Sequence, residues 1–120
     1  MYGNDSEWHP LRCDVQPWRE SLWIQPDGEI DYATADVVQS TVAHFLDAGF
    51  SHIVIDLRKV TFLDSSGLRV LIEARQAAAE RKISFSVAPG PPGIRRLFEV
   101  TGTAVLFPAP SAGPDAPGPA

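Results

Sequence analysis

Residues 51–71 read Ser-His-Ile-Val-Ile-Asp-Leu-Arg-Lys-Val-Thr-Phe-Leu-Asp-Ser-Ser-Gly-Leu-Arg-Val-Leu. The stretch opens as an apolar run, His52 to Leu57, rich in β-branched residues. A run of that kind suits a strand covered on both faces, in the middle of a sheet. It then crosses a short charged turn, reaches Asp64-Ser65-Ser66-Gly67, and continues at once as an apolar-periodic helix. The Asp-Ser-Ser-Gly turn is therefore held rigidly at a strand-to-helix junction, with two hydroxyls near a helix N-terminus.

Upstream, Leu11–Gln16 reads as a weak first strand, Pro17–Glu20 as a turn and Ser21–Gln25 as a second strand. Pro26-Asp27-Gly28 is strong turn chemistry, so the two strands form an antiparallel hairpin. Gly28–Thr34 leads into a helix whose inward stripe is Ala35, Val38, Val42, Phe45 and Leu46. Gly49 suits a left-handed C-terminal cap.

Downstream, the second helix runs from about Ser66 to Arg81 with Leu68, Leu71, Ile72 and Ala79 inward. Ile83–Val87 alternates strictly, as a half-covered strand does. The stiff loop Pro89–Gly93 precedes a third helix, with Ile94, Leu97, Phe98 and Thr101 on one stripe and Gly102 to stop it. Ala104–Phe107 reads as a last short strand.

The predicted order is β-β-α-β-α-β-α-β. The fold class is α/β: a small, mixed, mostly parallel sheet with an N-terminal hairpin and helices packed on it, the crossovers right-handed. One domain, residues 11–107, is expected. Residues 1–10 read as a flexible N-terminus. Residues 108–120 contain no large apolar side chain and read as a disordered Pro/Gly/Ala tail.

The chain has 120 residues and a formal charge of −5, from 10 basic and 15 acidic side chains. An acidic chain without a basic run argues against nucleic-acid binding. No apolar segment is long enough to span a bilayer, and the N-terminus lacks the pattern of a signal peptide. A single cysteine, Cys13, fits a reducing compartment. A soluble cytoplasmic domain without membrane contact is expected.

Three blocks together resemble the STAS domain family, and within it the bacterial anti-sigma factor antagonists. They are Gly28-Glu29-Ile30-Asp31, then Val54–Leu57 followed by Phe62-Leu63-Asp64-Ser65-Ser66-Gly67-Leu68, then Ile94–Gly102. The resemblance covers residues 11–107. It implies that an anti-sigma factor serine kinase of the GHKL type phosphorylates Ser65, and that a phosphatase acts on phospho-Ser65. It implies further that the unphosphorylated chain binds the anti-sigma factor and frees a sigma factor. Asp31 matches a family position near the partner surface. Asp31, Asp64, Ser65, Ser66, Gly67 and Arg69 form the expected partner-binding set. The chain departs from the family in lacking the helix that follows the last strand in sporulation-type antagonists.

Read from the residues alone, Asp-Ser-Ser-Gly is first an N-cap. One serine is expected to cap and the other to be modified, with Asp64 capping or pinning the turn. Gly67 is expected to leave the hydroxyls open to a kinase. A phosphate there adds roughly −1.5 to −2 charge, and a helix N-terminus with free N–H groups tolerates an anion. The expected switch is therefore electrostatic, without a change of fold.

Asp56, alone on an apolar strand, needs hydrogen-bond partners and is expected to bond loop backbone. Asp31 and Glu29 read either as an acidic lip or as a solvated turn. Arg95 and Arg96 read as surface charges, Trp23 as core or sheet face, and Trp18 as a candidate exposed anchor.

Enzyme readings find little support. No G-x-S-x-G elbow surrounds Ser65. His9, His44, His52 and Cys13 show no metal-ligand spacing, and no phosphate-binding glycine loop is present. No catalytic residue, cofactor or metal is assigned; the chain reads as a kinase substrate. The alternative is a STAS binding module of another kind, an adaptor to a lipid-transport ATPase or a ligand-sensing module.

Overall fold

The computed structural model describes residues 11–114. The expected flexible N-terminus, with Trp8 and His9, and the last residues of the tail lie outside the described residues.

Five strands form one sheet: β1 (Leu11–Trp18), β2 (Ser21–Ile30), β3 (His52–Asp56), β4 (Val60–Leu63) and β5 (Ser84–Ala88). Three helices accompany it: α1 (Ala35–Phe45), α2 (Ser65–Glu80) and α3 (Pro92–Thr101). The sheet order is β1-β2-β3-β5, and β4 also pairs with β2. β1 runs antiparallel to β2, from Leu11 opposite Gly28 to Trp18 opposite Ser21. β2 is parallel to β3 through its first half and to β4 through its second. β5 is parallel to β3. The expected mixed, mostly parallel sheet with an N-terminal hairpin is what forms.

Several local expectations are corrected. The hairpin connection is only Arg19-Glu20, with Arg19 at φ 58°, and the Ser21 hydroxyl closes it on the Trp18 carbonyl at 2.6 Å. Trp18 is thus the last residue of β1. Pro26-Asp27-Gly28 is no turn: β2 runs straight through it. Pro26 falls between Ile24, where pairing with β3 ends, and Gly28, where pairing with β4 begins. No ladder on that side asks it for an N–H. The register shifts between Gly28 and Glu29, and Gly28 carries the φ of 128° that this requires.

Val60–Leu63, read as part of a charged crossing, is a strand. Ala104–Leu106, read as a strand, is a 3₁₀ turn. α1 ends at Leu46 in right-handed geometry; Gly49, at φ 102°, lies further on in the turn to β3. Gly102 does cap α3 in the left-handed region at φ 73°. On α2 the inward alanines are Ala74 and Ala78, and Ala79 is exposed.

The core lies between the sheet and the helices. Leu22, Ile24, Ile53, Ile55 and Leu57 point from the strands, each 0% exposed, toward Val38, Val42 and Leu46 of α1 and Leu68, Leu71 and Ala78 of α2. Full burial of one such side chain contributes roughly 1.5–3 kcal/mol. Ile94, Phe98, Phe85, Val87 and Phe107 extend the same cluster under α3. The α1 stripe is as expected, with Phe45 half-buried at its margin.

β5 is not half-covered: Phe85, Ser86, Val87 and Ala88 are all buried. Its second face is closed by Trp23, Val54 and Ala88, which form a separate cluster against Trp18. Trp18 is therefore half-buried, with the Arg19 guanidinium over its ring at 4.4 Å, and is no free anchor. The tail also begins later than expected. Residues 108–114 are described: Pro108 accepts a hydrogen bond from the Val87 N–H at 2.9 Å, and Gly113 lies against the Trp23 ring.

Candidate functional site at the strand-to-helix turn

Two loops meet at the C-terminal ends of β2 and β4. Ile30 pairs with Leu63, and the Asp64 N–H donates to the Ile30 carbonyl at 3.3 Å. The Asp31 turn and the Asp-Ser-Ser-Gly turn, far apart in sequence, are thereby adjacent. The first turn of α2 packs directly onto this junction. A Cβ on Gly67 would collide with Leu63 Cδ1 and lie 2.9 Å from Ile30 Cγ2 and 3.0 Å from the Ile30 carbonyl oxygen. Gly67 is buried. Its role is to let the helix approach the strand ends, and it does not clear a path to the serines.

Asp64 is the N-cap of α2. Its Oδ1 accepts from the Ser66 N–H at 2.9 Å and the Gly67 N–H at 3.2 Å, and its carbonyl accepts from Leu68 N–H at 3.0 Å. Neither serine caps, contrary to the expected division of labour. The structural consequence matters: Ser65 occupies the first helical position, is exposed, and its hydroxyl has no side-chain hydrogen bond among the described residues. Ser66 is half-buried. Two of the N–H groups that were expected to receive an anion, those of Ser66 and Gly67, are already taken by the Asp64 side chain. A phosphate on Ser65 would sit beside that carboxylate and face solvent.

Arg69 lies one helical turn after Ser65, on the same side of α2. It is exposed and makes an i,i+4 ion pair with Glu73 at 3.5 Å. A surface pair of this kind holds Arg69 weakly, so it is free to turn toward a negative group at position 65.

Asp31 is pinned within its own loop. Its Oδ1 accepts from the N–H groups of Ala33 at 2.9 Å and Thr34 at 3.1 Å. The Thr34 hydroxyl accepts from the Asp31 N–H at 2.9 Å and donates to the Glu29 carbonyl at 2.7 Å. The carboxylate thus fixes the loop that abuts the serine turn, while Glu29 and Tyr32 stand exposed beside it.

A groove of about 530 Å³ opens next to the turn, between β4 and α3. Phe62, Leu63, Ile94, Leu97 and Val100 line it, with Arg96 on its rim. Phe62 and Val100 are large apolar residues left exposed. Arg96 thus reaches this surface; Arg95 lies beside it on α3. The groove was not legible in the sequence, because Phe62 reads as part of a turn until β4 is known.

Asp56 lies outside this surface. It is 3% exposed and fully engaged, accepting from Arg58 Nε at 2.8 Å, Arg58 Nη2 at 2.7 Å, the Arg58 N–H at 3.0 Å and Gln25 Nε2 at 3.3 Å. Burial pushes its carboxyl up, but the Arg58 guanidinium and backbone N–H, with Gln25, outweigh this and hold it below its ordinary value. The expected bond to loop backbone is present. Burial pushes the Cys13 thiol up, with help from Asp14; a thiol so placed is a poor nucleophile. His52 pairs with the Ser86 hydroxyl at 2.8 Å.

The STAS domain family matches residues 15–111 of the chain. An anti-sigma F factor antagonist of Paenibacillus polymyxa is 26% identical over 99 residues, which span 82% of this chain and 85% of the relative. The crystal structure of an anti-sigma factor antagonist from Mycobacterium paratuberculosis aligns with a TM-score of 0.76 at 26% identity, covering 85% of this chain and 86% of that one. The Bacillus cell fate determinant SpoIIAA, in its phosphorylated form, aligns with a TM-score of 0.64 at 16% identity, over 83% of this chain and 92% of that one; the likeness is one of fold.

Proposed function

The chain belongs to the STAS domain family, and on that premise we propose that it is an anti-sigma factor antagonist switched by phosphate on Ser65. In the unmodified state it binds an anti-sigma factor kinase of the GHKL type and so frees a sigma factor. A phosphate transferred to Ser65 Oγ ends that binding, and a phosphatase restores it. The working compartment is the cytoplasm, and the chain itself is a substrate and binding partner with no catalysis of its own.

The observation that carries this reading is the separation of roles in the turn. Asp64 supplies the cap, so the Ser65 hydroxyl is left exposed and uncommitted on a rigid helix start. Modification there costs the fold no hydrogen bond. The phosphate adds charge beside Asp64, on a surface that includes the Asp31 loop and the Phe62–Val100 groove. Like charge and bulk at a tightly packed interface oppose association. Arg69 offsets part of that charge without burying it.

The test is the affinity of each GHKL-type anti-sigma kinase of the host for wild type, Ser65→Ala and Ser65→Asp. The reading expects one kinase to bind wild type and Ser65→Ala comparably, and Ser65→Asp at least about tenfold more weakly, a difference of roughly 1.4 kcal/mol. Equal affinity for all three would instead favour an unswitched binding module.

A further inference from the structure

No helix contributes to the cluster on the second face of the sheet, yet that face is closed. Trp23, Val54 and Ser86 are in register across β2, β3 and β5, and their exposures are 3%, 1% and 6%. Trp18 flanks this row, and the Arg58 guanidinium lies 5.6 Å from the Trp23 ring centroid. The segment that crosses the face among the described residues is Pro108–Pro114. Its first carbonyl pairs with Val87 at the edge of the sheet. Gly113 then lies so close to the Trp23 indole that a Cβ would overlap Cζ2 and Cη2 and stand 2.9 Å from Cε2.

The geometry suits the composition. From β5 to β2 is two strand spacings, about 9–10 Å, and five extended residues reach at most roughly 17 Å. The segment Pro-Ala-Pro-Ser-Ala-Gly-Pro offers no large side chain to bury. What it offers is a stiff backbone that loses little entropy on docking against aromatic rings. At the indole the segment presents a glycine, Gly113, where a Cβ would not fit.

We propose that the second face is a peptide seat whose ligand is the chain's own residues 108–114. They act as a detachable Gly/Pro strap seated across β5 and the Trp23 indole. The strap is held by face contact and one edge hydrogen bond, so it can lift while the helix-covered core stays folded.

The indole N–H of Trp23 reports on the strap, because it is buried and has no hydrogen-bond partner among the described residues. Its exchange with solvent then requires the cover to open. In full-length, ¹⁵N-labelled protein, Gly113→Val is expected to speed that exchange at least about tenfold with the amide spectrum still dispersed. Ala112→Val, at an exposed neighbour, is expected to leave it unchanged. A synthetic peptide of residues 108–120, added to the Gly113→Val protein at the millimolar effective concentration of a short tether, is expected to slow exchange again. Unchanged exchange in Gly113→Val would mean that nothing is seated on the indole. Loss of amide dispersion would mean that the segment is part of the core. A peptide without effect would mean that the strap is no separable ligand. Each of these results overturns the proposal.

Discussion

On the helix-covered face of the sheet, Leu22, Ile24, Ile53, Ile55 and Leu57 meet a second aliphatic layer from α1 and α2. On the opposite face, Trp23 and Val54 share the surface with Asp56, His52 and Ser86, and a backbone segment without large side chains closes over it. The first face is held by volume and the second by the hydrogen bonds of Asp56 and His52 and by close backbone contact over the unpaired Trp23 indole. Volume is forgiving of detail, since similar apolar side chains substitute for one another. Polar satisfaction is not, because a buried group that loses its partner bears its full desolvation penalty. The two faces should therefore fail in different ways.

The largest effect is expected on the aliphatic face. Ile55→Ala should lower unfolding free energy by about 2–5 kcal/mol, read as a shift of the urea midpoint. Val54→Ala, its neighbour on the other face, removes two carbons and should cost only about 1.5 kcal/mol. Equal shifts would erase the contrast.

Asp56→Ala comes next, at about 2 kcal/mol near neutral pH; Arg58 is partly exposed and can rehydrate, which limits the loss. The sign with pH follows from a folded-state carboxyl held below its unfolded value. Its contribution is present above about pH 3.9 and is lost as pH falls through the folded value. The difference between wild type and Asp56→Ala should thus shrink in acid. His52 adds a separate trend. Burial lowers its pKa, so the neutral ring is the folded form and stability declines as pH drops below about 6.5. His52→Gln should flatten that part of the stability curve.

At the strand-to-helix turn the effects are smaller still. Asp64→Ala removes the α2 cap and should cost about 1 kcal/mol. Ser65→Asp should stay within about 0.5 kcal/mol of wild type, because Ser65 bonds to nothing that the fold needs. A Ser65→Asp cost as large as that of Asp64→Ala would reverse the assignment of cap and acceptor.

The same contrast explains what could be read from the sequence. The α1 stripe and the α3 stripe ending at Gly102 are periodic, and periodicity reports a face that meets another layer; the β3 run is continuous, as a strand covered on both faces is. The Asp64–Gly67 turn was legible for the same reason, since it joins two such elements. What escaped depends on partners distant in the chain. Pro26-Asp27-Gly28 reads as a turn until the gap between the β3 and β4 ladders is known. Val60–Leu63 is too short to alternate visibly. Asp64 was legible as a cap, but that neither serine shares the task was not, and Gly67 as a packing position is decided by Ile30 and Leu63. The 108–114 segment carries no apolar signal, because its contact with Trp23 is made by backbone.

The most direct test of the account is the intact mass of the protein after incubation with ATP and the host's GHKL-type anti-sigma kinases, with the site mapped by fragmentation. The account predicts a single phosphate on Ser65, absent in Ser65→Ala and present in Asp64→Asn, which keeps an acceptor for the cap. Phosphate on Ser66, or none with any kinase of the host, would contradict it.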